Sequence, residues 1–226
     1  MSEDCGLSPR KLIRLAIVGD HKIGKTTILN SLVNINNYTL PINNTTSPEM
    51  YNKLYNINNI LYRLNIWDTM GHTCLIPLNR YCYQNIDCLI IVFDVSNKHS
   101  FNNVEIWYER FIENSGSLSN NNMPKFILLG NIREDILRVI SEYDAKLLAK
   151  KYNMVYYELS ANNIKSVDTT FQKIVNDLIT HLFEPKENYN IIDSCCTTPR
   201  EKLIKHTNKK KENNNRSCFT KCFFSE

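Results

Sequence analysis

The residues best equipped for chemistry stand in one run, Gly19-Asp20-His21-Lys22-Ile23-Gly24-Lys25-Thr26, followed by Thr27. The run fits the phosphate-binding pattern G-x-x-x-x-G-K-[ST] and lies where that pattern works, between an apolar β-type segment and a helix-forming one. Its glycines let the backbone curl so that successive N–H groups face a phosphate, and the helix that follows adds its positive end. Lys25 would then reach the β- and γ-phosphates of a nucleotide, and the Thr26 hydroxyl would ligate Mg²⁺. A glycine turn that merely caps a helix and leaves Lys25 exposed is the plain alternative; the coincidence of strand, run and helix weighs against it.

A second constellation, Asp68-Thr69-Met70-Gly71, comes 42 residues after Thr26 and closes the run Arg63-Leu64-Asn65-Ile66-Trp67. A carboxylate at the end of a strand beside a phosphate loop can hold Mg²⁺ through water, and the glycine lets a backbone N–H approach a γ-phosphate. Alone, Asp-x-x-Gly is a common turn. Its register behind a phosphate loop makes it specific.

The elements that must position these groups are legible in the apolar spacing. Five β-rich runs, Leu12 to Val18, Leu61 to Trp67, Leu89 to Val95, Phe126 to Leu129 and Val155 to Leu159, are close to continuous rather than alternating. Strands apolar on both sides belong in a mostly parallel sheet covered on both faces. Helical stretches fall between them, at Lys25 to Val33, Ser100 to Asn114, Glu142 to Tyr152 and Ser166 to Phe183. The last carries Val167, Phe171, Ile174, Val175, Leu178 and Leu182 at helical spacing. This alternation predicts an α/β, doubly wound fold. Residues 46–60 are expected to add a strand, with a boundary blurred by Asn56 to Asn59.

A chain of 226 residues accommodates one domain and a tail rather than two full domains. With 42% hydrophobic and 22% charged residues, it lies near the globular average, which argues against disorder, collagen or a disulfide-scaffold miniprotein. The expected organisation is an extension over 1–10, a folded domain over 11–184 and a disordered tail over 185–226, because periodicity stops at Pro185. From Pro199 onward eight basic residues face three acidic ones, so the body is near neutral and all the excess charge is in the tail. Such a tail is a tether for anionic lipid or nucleic acid, or simply a solvated terminus. The polar start Met1-Ser2-Glu3-Asp4-Cys5 resembles no export signal, and Ser2 excludes myristoylation, so a cytosolic chain is expected. Of the eight cysteines, Cys195, Cys196, Cys218 and Cys222 cluster in the tail, with no Cys-x-x-Cys pair for zinc. That placement suits lipid attachment, and no nucleic-acid partner is expected. The 31 asparagines fall mostly in loops and carry no functional assignment.

With these motifs in place, the chain resembles the small GTPases of the Ras superfamily, and within it the Rab branch, over about residues 10–184. Besides the two motifs above, the resemblance rests on Ile91-Val92-Phe93-Asp94-Val95-Ser96, on Ser100-Phe101-Asn102-Asn103-Val104 with Trp107, and partly on Tyr81-Cys82-Tyr83. Tyr157-Glu158-Leu159-Ser160-Ala161-Asn162 resembles the guanine-contacting loop, in which the Ala161 N–H would bind the guanine carbonyl. The resemblance implies a P-loop NTPase (G domain) with GTP or GDP and Mg²⁺ as cofactors. It also implies effectors, an exchange factor, a GTPase-activating protein and a GDP dissociation inhibitor as partners. The expected place is peripheral, on the cytosolic face of an endomembrane.

Departures from that family carry information. Met70 and His72 stand where alanine and the water-orienting glutamine are usual, which predicts slow hydrolysis with catalytic contributions from Lys25, Gly71 and His72; a neutral exchange in the loop is the alternative. The guanine motif Asn-Lys-x-Asp appears as Asn131-Ile132-Arg133-Glu134-Asp135, so the guanine-reading acid is either Glu134 or Asp135, and Asn162 replaces a lysine. A misplaced acid would weaken binding by about 1–3 kcal/mol. Thr46, or else Thr45, would close on Mg²⁺, and Ser47-Pro48 replaces the Ile-Gly pair that follows in the family. His21 and Lys22 occupy positions where small residues admit an arginine finger. Cys222 and Cys218 are the candidates for prenylation, although Cys222 would head a C-a-a-X box only without Glu226; palmitoylation of Cys195, Cys196 or Cys218 competes. Two readings stand, a slow GTPase switch and a non-hydrolysing nucleotide-binding adaptor (pseudo-GTPase). A small-molecule kinase is distant, since Arg133 and Arg138 do not make an arginine-rich lid.

Overall fold

Strands apolar on both sides need cover on both faces, and a computed structural model of the chain shows how they obtain it. The structure describes residues 11–33, 47–69, 71, 81–115 and 123–183. Thr45, Thr46, Met70 and His72, the 1–10 extension and the 185–226 tail with Cys218 and Cys222 lie outside the described residues.

Six strands form one sheet: β1 (Lys11–Val18), β2 (Glu49–Ile57), β3 (Ile60–Asp68), β4 (Cys88–Asp94), β5 (Lys125–Asn131) and β6 (Val155–Leu159), in the order β2-β3-β1-β4-β5-β6. All neighbours run parallel except β2 and β3. The helices are α1 (Lys25–Val33), α2 (Lys98–Asn102), α3 (Val104–Asn114), α4 (Glu142–Lys151) and α5 (Ile164–Phe183). Alternate strand residues divide into two cores, as pleating requires. Ile13, Leu15 and Ile17 of β1 and Ile90 and Val92 of β4 pack with Ile28, Phe171, Ile174 and Leu178 of α1 and α5. Ala16, Val18, Leu89, Ile91 and Phe93 pack on the other face with Trp107 and Phe111 of α3 and Ala145 and Ala149 of α4.

One detail refines the reading from apolar spacing and another departs from it. The strand expected within 46–60 is β2, an antiparallel edge strand joined to β3 by Asn58-Asn59, both in the left-handed region at φ 53° and 62°. Asparagine tolerates that region, and two such residues make the primed turn whose twist matches a hairpin. The single helix expected from Ser100 to Asn114 is two helices. It begins earlier, where the Asn97 side chain caps the His99 and Ser100 N–H groups, and it breaks at Asn103.

Cys82 and Cys88 are buried free thiols. Burial alone pushes the Cys82 thiol up to about 11, and it raises Cys88 further.

Phe171 has no exposed surface and bridges α5 to the sheet. Phe171→Ala is expected to cost about 3–5 kcal/mol, read as a lower urea midpoint without a change of slope.

Candidate functional site

The loop between β1 and α1 is shaped by three residues with positive φ: Gly19 (140°), Lys22 (62°) and Gly24 (97°). A Cβ on Gly19 would lie 2.4 Å from the Val92 carbonyl oxygen, and one on Gly24 would lie 2.5 Å from Asn131 Nδ2. Both glycines are therefore required by close approach as well as by φ. The loop ends where the Ile28 N–H donates to the Gly24 carbonyl and opens α1.

Lys25 is only 6% exposed. Its ammonium donates to the carbonyls of Gly19 at 2.9 Å and Asp20 at 2.7 Å. Burial lowers its pKa to about 8, against the opposing pull of the Asp68 and Asp20 carboxylates. An anionic ligand beside this cation would offset the cost of burying it.

Asp68 arrives by strand register: β3 lies parallel to β1 with Asp68 opposite Ile17. It is fully buried, and the Thr26 hydroxyl donates to its Oδ2 at 2.5 Å. A hydroxyl and a carboxylate together are hard oxygen donors of the kind Mg²⁺ selects, and they leave room for the phosphate oxygens and waters that complete its shell. The residues fit the ion. Thr69 Oγ1 donates to the Ile17 carbonyl at 2.7 Å and fixes the exit of the chain from β3. Gly71 then comes back over the loop: a Cβ there would meet Lys25 Nζ at 2.5 Å and the Asp20 carbonyl oxygen at 2.7 Å. Lys25, Thr26, Asp68 and Gly71, expected from the sequence to share one site, are thus in contact.

Asp20 has a role that its position in the motif did not reveal. Its carboxylate accepts from Trp107 Nε1 at 2.7 Å and Asn103 Nδ2 at 2.7 Å. The break between α2 and α3 therefore falls on the residue that reaches the phosphate loop. His21 is half-buried and Lys22 exposed.

At the end of β5, Asn131 is 3% exposed and ties three segments together. Its Nδ2 donates to the Ile23 carbonyl at 2.8 Å, and its Oδ1 accepts the Ala161 N–H at 3.1 Å. The Ala161 N–H, expected to face a guanine carbonyl, is thus engaged by Asn131 here. Ala161 is held on its other side by Ser31, whose hydroxyl donates to its carbonyl at 2.7 Å. The Ser160 N–H donates to Ser166 Oγ at 3.2 Å, and Asn162 is exposed. Glu134 and Asp135 are both exposed in the turn closed by the Ile136 N–H and the Arg133 carbonyl. Arg133, considered from the sequence only as a lid residue, forms an ion pair with Asp94 at 3.2 Å and donates to the Lys22 carbonyl at 3.3 Å.

A family model described as the Ras family matches residues 14–180. The chain is 33% identical over 190 residues to a Ras-related protein Rab7 of Cenchrus ciliaris, covering 82% of this chain and 90% of that one. It is 33% identical over 174 residues to the Ras-related protein RABG3f of Arabidopsis thaliana (75% of this chain, 84% of the relative). Against RABG3b of the same plant it is 35% identical over 167 residues (72% and 81%).

Asn131→Ala would leave the Ile23 carbonyl and the Ala161 N–H without this partner inside the protein. A loss of about 2–4 kcal/mol is expected by urea denaturation, whereas Asp135→Ala, at an exposed turn, is expected to change stability by under about 0.5 kcal/mol.

Proposed function

The chain belongs to the Ras family of small GTPases, in its Rab branch, and from that premise we propose that it is a slow guanine-nucleotide switch of membrane traffic. The closeness of Gly71 to the Lys25 ammonium, such that a Cβ there would lie 2.5 Å from Nζ, supports the reading. A γ-phosphate drawn to Lys25 also comes within reach of the backbone at Gly71, so the segment after β3 can respond to the presence of that phosphate.

On this reading the labour is divided as follows. Lys25, Thr27 and the N–H groups of residues 20–26 hold the phosphates, with the ammonium acting in a site from which water is largely excluded. Thr26 and Asp68, with Thr46 from the first switch loop, would hold Mg²⁺, which when bound neutralises charge on the phosphates. Asn131, Ser160, Ala161 and Asn162 frame the base, and Glu134 or Asp135 reads it. His72 follows Gly71 directly. An imidazole cannot offer the carbonyl-and-amide pair of a glutamine, so it orients the attacking water less well and hydrolysis is slow. The basic tail with a lipid on Cys222 or Cys218 gives the two signals that stable membrane attachment needs, on the cytosolic face. Effectors, an exchange factor, a GTPase-activating protein and a GDP dissociation inhibitor are the partners that membership of the family suggests.

The adaptor reading is favoured by the same His72 and by Ile132 in the base motif. Extraction of the nucleotide from purified full-length protein, followed by phosphate release after loading with GTP, separates the two. Guanine nucleotide is expected in the extract, with release from His72→Gln roughly tenfold faster than from the parent, a barrier lower by about 1.4 kcal/mol. An empty protein, or equal retention of adenine nucleotide, would establish the adaptor instead. Lys25→Ala is expected to lose nucleotide binding altogether, and normal Mg-GTP affinity in that variant would remove the assignment of the loop.

A further inference from the structure

Arg133 occupies a position between the two halves of the nucleotide site. Its Nε lies 3.2 Å from Asp94 Oδ2, and one of its terminal nitrogens donates to the Lys22 carbonyl of the phosphate loop at 3.3 Å. Asp94 is a firm anchor. It is 4% exposed at the end of β4, sits opposite Asn131 in the β4–β5 register, and accepts from the Ser96 N–H at 2.9 Å and the Ser96 hydroxyl at 2.5 Å. A guanidinium held on that carboxylate has a planar fork of donors, and the remaining part is directed to a second acceptor.

The acceptor matters because of its place in the chain. Lys22 is in the left-handed region at φ 62°, which disfavours a residue with a side chain unless its surroundings hold it there. In a planar trans peptide the carbonyl and the following N–H point in opposite directions. Arg133 holds the Lys22 carbonyl, so the Ile23 N–H points away from Arg133. Asn131 holds the next carbonyl, that of Ile23, at 2.8 Å, and the Gly24 N–H is turned in the same manner. Two consecutive peptides of the phosphate loop are thus oriented from one short segment, residues 131–133.

We propose that Arg133 is a positioning residue of the nucleotide site, which locks the Lys22–Ile23 peptide in its phosphate-binding orientation and so sets how long a guanine nucleotide stays bound. The proposal rests on the nucleotide-binding reading above. Arg133 acts through the loop and takes no part in hydrolysis.

The test is release of fluorescently labelled GDP from the full chain in the presence of Mg²⁺ and excess unlabelled GDP. Arg133→Ala is expected to release it about tenfold faster. Arg133→Lys, which can serve one acceptor but not both, is expected to fall between that variant and the parent. Truncation of Arg133 leaves Asp94 its two hydrogen bonds from Ser96, and far-UV circular dichroism checks that the fold is kept. Arg138→Ala is the control, because Arg138, on the same loop as Arg133, pairs instead with Glu158 of β6 at 2.6 Å and donates to the Ile140 carbonyl at 3.3 Å. Unchanged release from Arg133→Ala overturns the proposal, and so does equal acceleration by Arg138→Ala, which would indicate general loosening of the loop. Were Arg133→Ala to misfold, Arg133→Lys alone decides, with release at the parental rate overturning the proposal. A parent chain that takes up no labelled GDP removes the nucleotide reading, and this proposal with it.

Discussion

A lysine ammonium buried at the start of a helix is costly, and the arrangement around Lys25 is largely the means by which this chain sustains it. Two backbone carbonyls accept its protons, two carboxylates oppose the effect of burial on its charge, and the loop that delivers those carbonyls needs glycine at both ends. The parallel pairing of β1 with β3 puts Asp68 beside that charge, and the pairing of β1 with β4 brings the Val92 carbonyl so close to Gly19 that no side chain fits. Sheet order and phosphate chemistry are therefore one constraint. The ends of parallel strands converge on one edge, where a ligand can bind between the loops.

The second layer of organisation is polar and long-range. Asp20, Asn131 and Asp94 each join segments far apart in the chain: the phosphate loop to the break between α2 and α3, the phosphate loop to β5 and Ala161, and β4 to Arg133. Buried groups of this kind act as a network, because losing one partner leaves another unsatisfied in a low-dielectric setting. The phosphate loop is consequently held from both flanks, by α3 on one side and by residues 131–133 on the other.

This distribution bears on the departures from the family pattern. Lys25, Thr26 and Asp68, the groups proposed to hold phosphates and metal, form a connected set. The replacements fall on the water-orienting position, His72, and on the base side, Ile132, Glu134 and Asn162. On the proposed reading, this pattern keeps the groups suited to the strong electrostatic part of nucleotide binding and varies the positions that would read the base and orient water.

Much of the fold was legible from local spacing. The strand at Val155–Leu159 and the helix at Lys25–Val33 coincide with the apolar runs that announced them, since burial on two faces or on one helical stripe writes itself into consecutive residues. The phosphate loop and Asp68 were legible for a related reason: their residue types are dictated by φ, by charge and by distance along the chain. Asn103 shows the limit. Its neighbours continue a helical pattern, and only the approach of Asp20, 83 residues earlier, explains why the helix breaks there. Arg133 is a similar case, an ordinary loop arginine until Asp94 and the Lys22 carbonyl are brought to it. By itself the sequence determined most of the strands and helices and which loop has the residues of a phosphate loop, because those depend on neighbours within a few residues. The tertiary structure alone decided what holds that loop in shape, because a hydrogen bond between distant residues depends on how the sheet brings them together.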